Sequence, residues 1–130
     1  MIRLNRVTHQ RALEVIGLPE DIGDGHRFTM TFKQVCKLLA EYLIGEDERQ
    51  NEGPTVKELH TFVIKHNLQM SVIFEAYIIK PHRSDSRVTI EGARFIGVDN
   101  VEVVKDIIRE YRQADEFDID SDGTIRVWWD

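Results

Sequence analysis

The sequence predicts an α+β fold: an N-terminal helical layer (residues 1–68) packed on an antiparallel sheet of roughly four strands (residues 69–130). Three observations predict it. Thr31-Phe-Lys-Gln34 and Thr55-Val-Lys-Glu58 are capping boxes, each followed by apolar residues at helical spacing. Residues 71–98 turn to β-branched and aromatic side chains, which suit a pleated, half-buried surface. The last fourteen residues alternate about a Ser121-Asp122-Gly123 turn, the pattern of a β-hairpin. The chain has 130 residues, 42% of them hydrophobic. That is enough for one domain with one core, and no repeat or low-complexity linker divides it.

Each element has its own justification. Thr8 is expected to cap a first helix carrying Ala12, Leu13, Val15 and Ile16, which Gly17 and Pro19 stop. His26 to Met30 reads as a short extended piece after a glycine-rich loop. From Thr31, the residues Phe32, Val35, Cys36, Leu39, Tyr42 and Leu43 mark a helix that Gly45 would end. Gly45 to Pro54 is a polar loop. Val56, Leu59, Phe62 and Val63 form the buried stripe of the next helix, with Asn67 as a left-handed stop.

Ser71 to Lys80 and Val88 to Val98 read as paired strands, with a bulge near Gly92. Asp99 or Asn100 caps a helix whose inner face is Val103, Val104, Ile107, Ile108 and Tyr111, and the closing hairpin completes a ββαββ C-terminal half. Residues 55–79 admit a second parse, a helix-turn-helix with the later hairpin as a wing. The β-branched and aromatic content of Ser71 to Ile79 weighs against it.

Charge and composition narrow the function classes. The formal net charge is −6, with ten acids against four bases from 99 to 130 and six against two from 41 to 58. Such a surface repels phosphate backbones, so nucleic acid is an unlikely target and a basic protein a better one. No apolar run approaches a membrane span and no signal-like segment opens the sequence, so a cytoplasmic location is expected. The lone Cys36 sits in an apolar helical pattern and reads as a small core residue rather than a reactive thiol. Arg3, Arg6 and Arg11 can meet phosphate, or can pair with the acidic C-terminal segment without any partner.

Candidate sites each have a plainer alternative. Asp118-Ile-Asp120-Ser-Asp122-Gly123 copies half of a calcium loop, but Trp129 stands where the bidentate glutamate belongs, so an acidic hairpin tip is the better reading. His60 and His66 are six apart and fall on different faces of one helix, which gives no metal pair. No metal or cofactor is expected. His26 beside Asp21 and Asp24, or Glu75 with Glu91 on adjacent strands, would be the groups of a small enzyme.

Alternation offers more. Trp128 and Trp129 are neighbours and must point to opposite sides of a strand. Trp129 shares parity with Ile125 and Val127 and belongs inside. Trp128 then projects outward with Arg126, and the pattern puts Glu75, Tyr77, Glu91, Phe95 and Asp118 on the same face. The function expected from this is protein binding without catalysis, of the inhibitor, antitoxin or immunity kind, with a homodimer also open. A winged-helix DNA binder and a carboxylate enzyme are the alternatives.

Overall fold

Side chains that satisfy the first free amides decide where the helices begin. In the computed structural model, which describes all 130 residues, helix α1 (Arg6–Ile16) starts at Asn5. Asn5 accepts the Thr8 amide, and the Thr8 hydroxyl accepts the Asn5 amide in return. Thr8 is therefore the third residue of the helix, closing the box, and not its cap. The two boxes from Thr31 and Thr55 form as the sequence predicts and open α2 (Phe32–Ala40) and α3 (Val56–Lys65). Asn100 caps α4 (Val101–Tyr111), accepting the amides of Glu102 and Val103.

Three of these helices stop in the same way. Gly17, Tyr42 and Asn67 each take a left-handed backbone, at φ of 84°, 57° and 54°. The leucine that follows each one donates its amide to a carbonyl five residues back: Leu18 to Leu13, Leu43 to Leu38, Leu68 to Val63. Helix α2 thus ends five residues before Gly45. Tyr42 lies out in solvent and Leu43 is buried, so a side chain the helical period placed inside is outside.

The sheet has five antiparallel strands rather than four: β1 (His26–Thr31), β2 (Val72–Ile78), β3 (Val88–Phe95), β4 (Glu116–Ile119) and β5 (Ile125–Trp128), in the order β1-β2-β3-β5-β4. The addition is β1, the short extended piece, which pairs along β2 from His26↔Ile78 to Thr31↔Ile73. Because β3 and β4 both run antiparallel to β5, they are parallel to each other, and α4 is the crossover between them. Val72–Ile78 is a strand with strictly alternating burial, which removes the recognition-helix parse and the winged-helix reading built on it.

One irregularity sets the faces. Glu75 opposes Gly92, but the next residue, Ala76, opposes Ile90, so Glu91 is an extra residue in β3. The bulge reverses parity along the strand. Val88 and Ile90 point inward before it, and Ala93 and Phe95 point inward after it. Phe95, expected outside, therefore lies in the core at 1% exposure, edge-on to Phe62 and stacked near Tyr111. All four helices contribute to one core with the inward residues of the sheet, and no helix is long and apolar enough to cross a membrane.

Candidate functional site

The outward face of the sheet carries no helix, and register fixes what it displays. Arg27 pairs with Tyr77 and Thr29 with Glu75. On the other side Glu75 opposes Gly92, Gly92 opposes Trp128, and Trp128 opposes Glu116. One row further on, Arg94 opposes Arg126, which opposes Asp118. Five of the six residues singled out from the sequence (Glu75, Tyr77, Asp118, Arg126 and Trp128) thus share this face by regular alternation. The sixth, Glu91, reaches it through the bulge.

Two arginines and two glutamates tie the strands together across this face. Arg126 grips Glu75 with two hydrogen bonds, Nε to Oε2 at 2.8 Å and Nη2 to Oε1 at 3.1 Å, and reaches Glu116 at 3.2 Å. Arg94 approaches the same Glu75 carboxylate at 3.4 Å. The fork-on-carboxylate geometry is the strong form of this contact, and it holds the Arg126 proton more firmly than usual. The Trp128 ring lies over Gly92: a Cβ there would sit 3.1 Å from Trp128 Cδ1 and 2.7 Å from the Val127 carbonyl oxygen. Glycine is what lets the indole come this close to β3. Trp128 remains half-buried, as are Arg126 and Glu75.

The corner around Tyr77 and Glu91 is different. Tyr77 donates to Gln50 Oε1 at 2.7 Å, so the 45–54 loop reaches this face. Arg87 donates to the Tyr77 hydroxyl and to Thr89, and its guanidinium stands 5.8 Å from the Tyr77 ring centre. Glu91 is 3% exposed and meets Arg27 at 3.0 Å, inside a cavity of about 380 Å³ that Arg83, Gln50 and Tyr77 also line. Glu75 and Glu91 are therefore held by different arginines, Glu75 by Arg126 and Arg94 and Glu91 by Arg27.

The remaining candidates are placed elsewhere. Asp24 turns to the Lys80 amide, His82 and Arg83, and not to His26. Its carboxyl is held below its ordinary range chiefly by that amide. Asp120 and Asp122 are spent on the hairpin tip, where they accept the amides of Asp122 and Thr124. His60 leans on Phe32, and His66 on Phe62 and Asp106. Burial pushes the Cys36 thiol up. Arg11 forks onto Glu41 with Glu14 alongside, and Arg3 donates to the Ser84 carbonyl, so neither pairs with the C-terminal acids as expected.

Sequence reading missed Arg94 and Gly92 as parts of this face. The register of Gly92 against Trp128 was the available sign, and it needed the bulge to be placed at Glu91. The chain matches no protein-family model, no curated protein and no solved structure.

Proposed function

We propose that the protein is a non-catalytic binding module for another protein, of the inhibitor, antitoxin or immunity kind, which docks through the helix-free face with Trp128 as its anchor. The observation that carries this is the indole laid over Gly92 between the Glu75–Arg126–Glu116 pairs, on a face no helix covers. Tryptophan and arginine supply most of the energy at protein interfaces when a partner desolvates them. Here both are held in place before any partner arrives, which lowers the ordering cost of association. Each arginine is already matched to a carboxylate, so the face can be covered without stranding a charge.

A basic target is the finer expectation. From Asp115 to Asp122 the β4 edge and its turn carry five acids and no base, and an acidic rim speeds encounter with a positive surface. The test is affinity capture from the native host at low and high salt, with the wild-type chain beside Trp128→Ala. The reading expects a specific partner whose retention drops about thirty-fold or more in the variant, as for an anchor worth at least about 2 kcal/mol. It also expects association to slow as salt rises. Retention indifferent to both the substitution and the salt removes it.

A further inference from the structure

A second cavity lies on the helix side of the sheet, where α3, α4, the 49–54 loop and the end of β5 meet. Its volume is about 360 Å³, and Tyr111, Trp129, Glu52, Glu58, Glu110 and Arg49 are among its walls. The two aromatic rings stand 5.8 Å apart at 72°, so they form a corner rather than a flat floor. Gly53 brings the loop onto the indole, since a Cβ there would lie 3.0 Å from Trp129 Cγ.

Two features leave this corner without protein partners for most of its polar groups. Tyr111 is 95% buried, yet its hydroxyl has no hydrogen-bond partner in the protein and is not sealed from solvent. The three carboxylates form no ion pair, and the one bond among them is Glu58 accepting the Thr55 amide. Glu110 and Glu58 lie near enough to the phenol to add to burial in opposing its ionisation. A neutral phenol and two rings, beneath three carboxylates and the one guanidinium of Arg49, make a recess of net negative charge that is partly apolar. An organic cation gains there from both the rings and the acids, and a small hydrated metal ion gains little from the rings.

We propose that this cavity binds an organic cation, an alkylammonium or guanidinium group carried either by a basic side chain or by a free linear polyamine. It lies on the other side of the sheet from Trp128 and stands independently of the sheet-face reading. The chain has two tryptophans, so in a Trp128→Phe background Trp129 alone reports on the cavity. The probes are N-acetyl-lysine methylamide, N-acetyl-arginine methylamide and spermidine, with sodium chloride at matched ionic strength as the control.

The expected result is a saturable change in Trp129 emission with the organic cations and none with sodium. Glu110→Gln should weaken it on the order of five-fold, as for one exposed charge contact, and Glu58→Gln/Glu110→Gln should weaken it further. Gln at position 58 still completes the capping box, and Glu110 is exposed, so neither change threatens the fold. Unchanged circular dichroism confirms this for each variant. Response to the amino-acid probes alone assigns the site to a side chain, and response to spermidine alone assigns it to a free polyamine. A response that sodium reproduces, that the double variant leaves intact, or that no probe elicits overturns the proposal.

Discussion

The two faces of the sheet are built on opposite principles. On the covered face Phe74, Phe95, Ile125 and Val127 are sealed against four helices, and stability comes from apolar area removed from water. On the open face neighbouring side chains are joined by ion pairs and by one indole resting on a glycine. Exposed or half-exposed pairs of this kind contribute little to stability, so their order serves the shape and charge of the surface. The comparison teaches that the same strand, β5, carries both tasks on alternate residues. Trp129 belongs to the core, and Trp128 stays half-buried on the open face.

Adjacent tryptophans make that division testable by one substitution on each side. Trp129 is 8% exposed and packs edge-on against Tyr111, so Trp129→Ala should cost about 3–5 kcal/mol as a core truncation. Trp128→Ala removes a half-buried ring from a surface that needs no filling. Its cost should be about 1 kcal/mol. Urea denaturation midpoints at constant slope give both numbers. Equal losses would mean that the open face is structural and that the comparison fails.

Gly92 sharpens the contrast at the next level. Gly92→Ala puts a methyl 2.7 Å from the Val127 carbonyl oxygen and 3.1 Å from the Trp128 ring. Backbone cannot swing away as a side chain can, so β3 and β5 must separate. We expect a loss of about 1–3 kcal/mol, typical of forced overpacking, together with a blue- or red-shifted Trp128 emission as the indole is lifted. A variant of native stability with unchanged emission would show that the ring does not rest on this glycine in solution.

Much of this division is legible in the residues. Capping boxes announce α2 and α3 because their signal is local: a side chain three residues away satisfies a free amide. Alternation separates Trp128 from Trp129 for the same reason. What the sequence hides is non-local or turns on a single backbone torsion. Glu91 becomes the extra residue of a bulge only when β2 and β3 are in register, and that event sends Phe95 inside. Tyr42 takes the left-handed conformation that Gly45 was expected to supply, because the Leu43 side chain gains a place in the core. β1 reads as a fragment until β2 offers it an edge. The Arg126–Glu75 fork joins residues fifty-one positions apart, and composition cannot reveal such a pair.

The smallest expected effects come from pH, which separates charges matched at the surface from polar groups sealed inside. His9 Nε2 and Glu48 Oε2 are buried without a partner. Burial pushes the Glu48 carboxyl above its ordinary value, so the folded chain holds that proton more tightly than the unfolded chain does. Stability therefore falls as pH rises from about 4.3, the ordinary glutamate value, through the raised folded one. Glu48→Gln should remove this slope and stabilise the protein at neutral pH. Burial, with Lys80 nearby, pushes the His9 imidazole down. The unfolded chain then takes up the proton first, and stability falls as pH drops below about 6.5. His9→Leu should flatten that acid-side loss and leave the neutral value nearly unchanged. Denaturation midpoints from pH 4.5 to 8 should therefore show the two variants departing from wild type with opposite slopes. Parallel profiles in wild type and both variants would mean that neither group is sealed in solution, and the covered side would lose its claim to be the drier of the two.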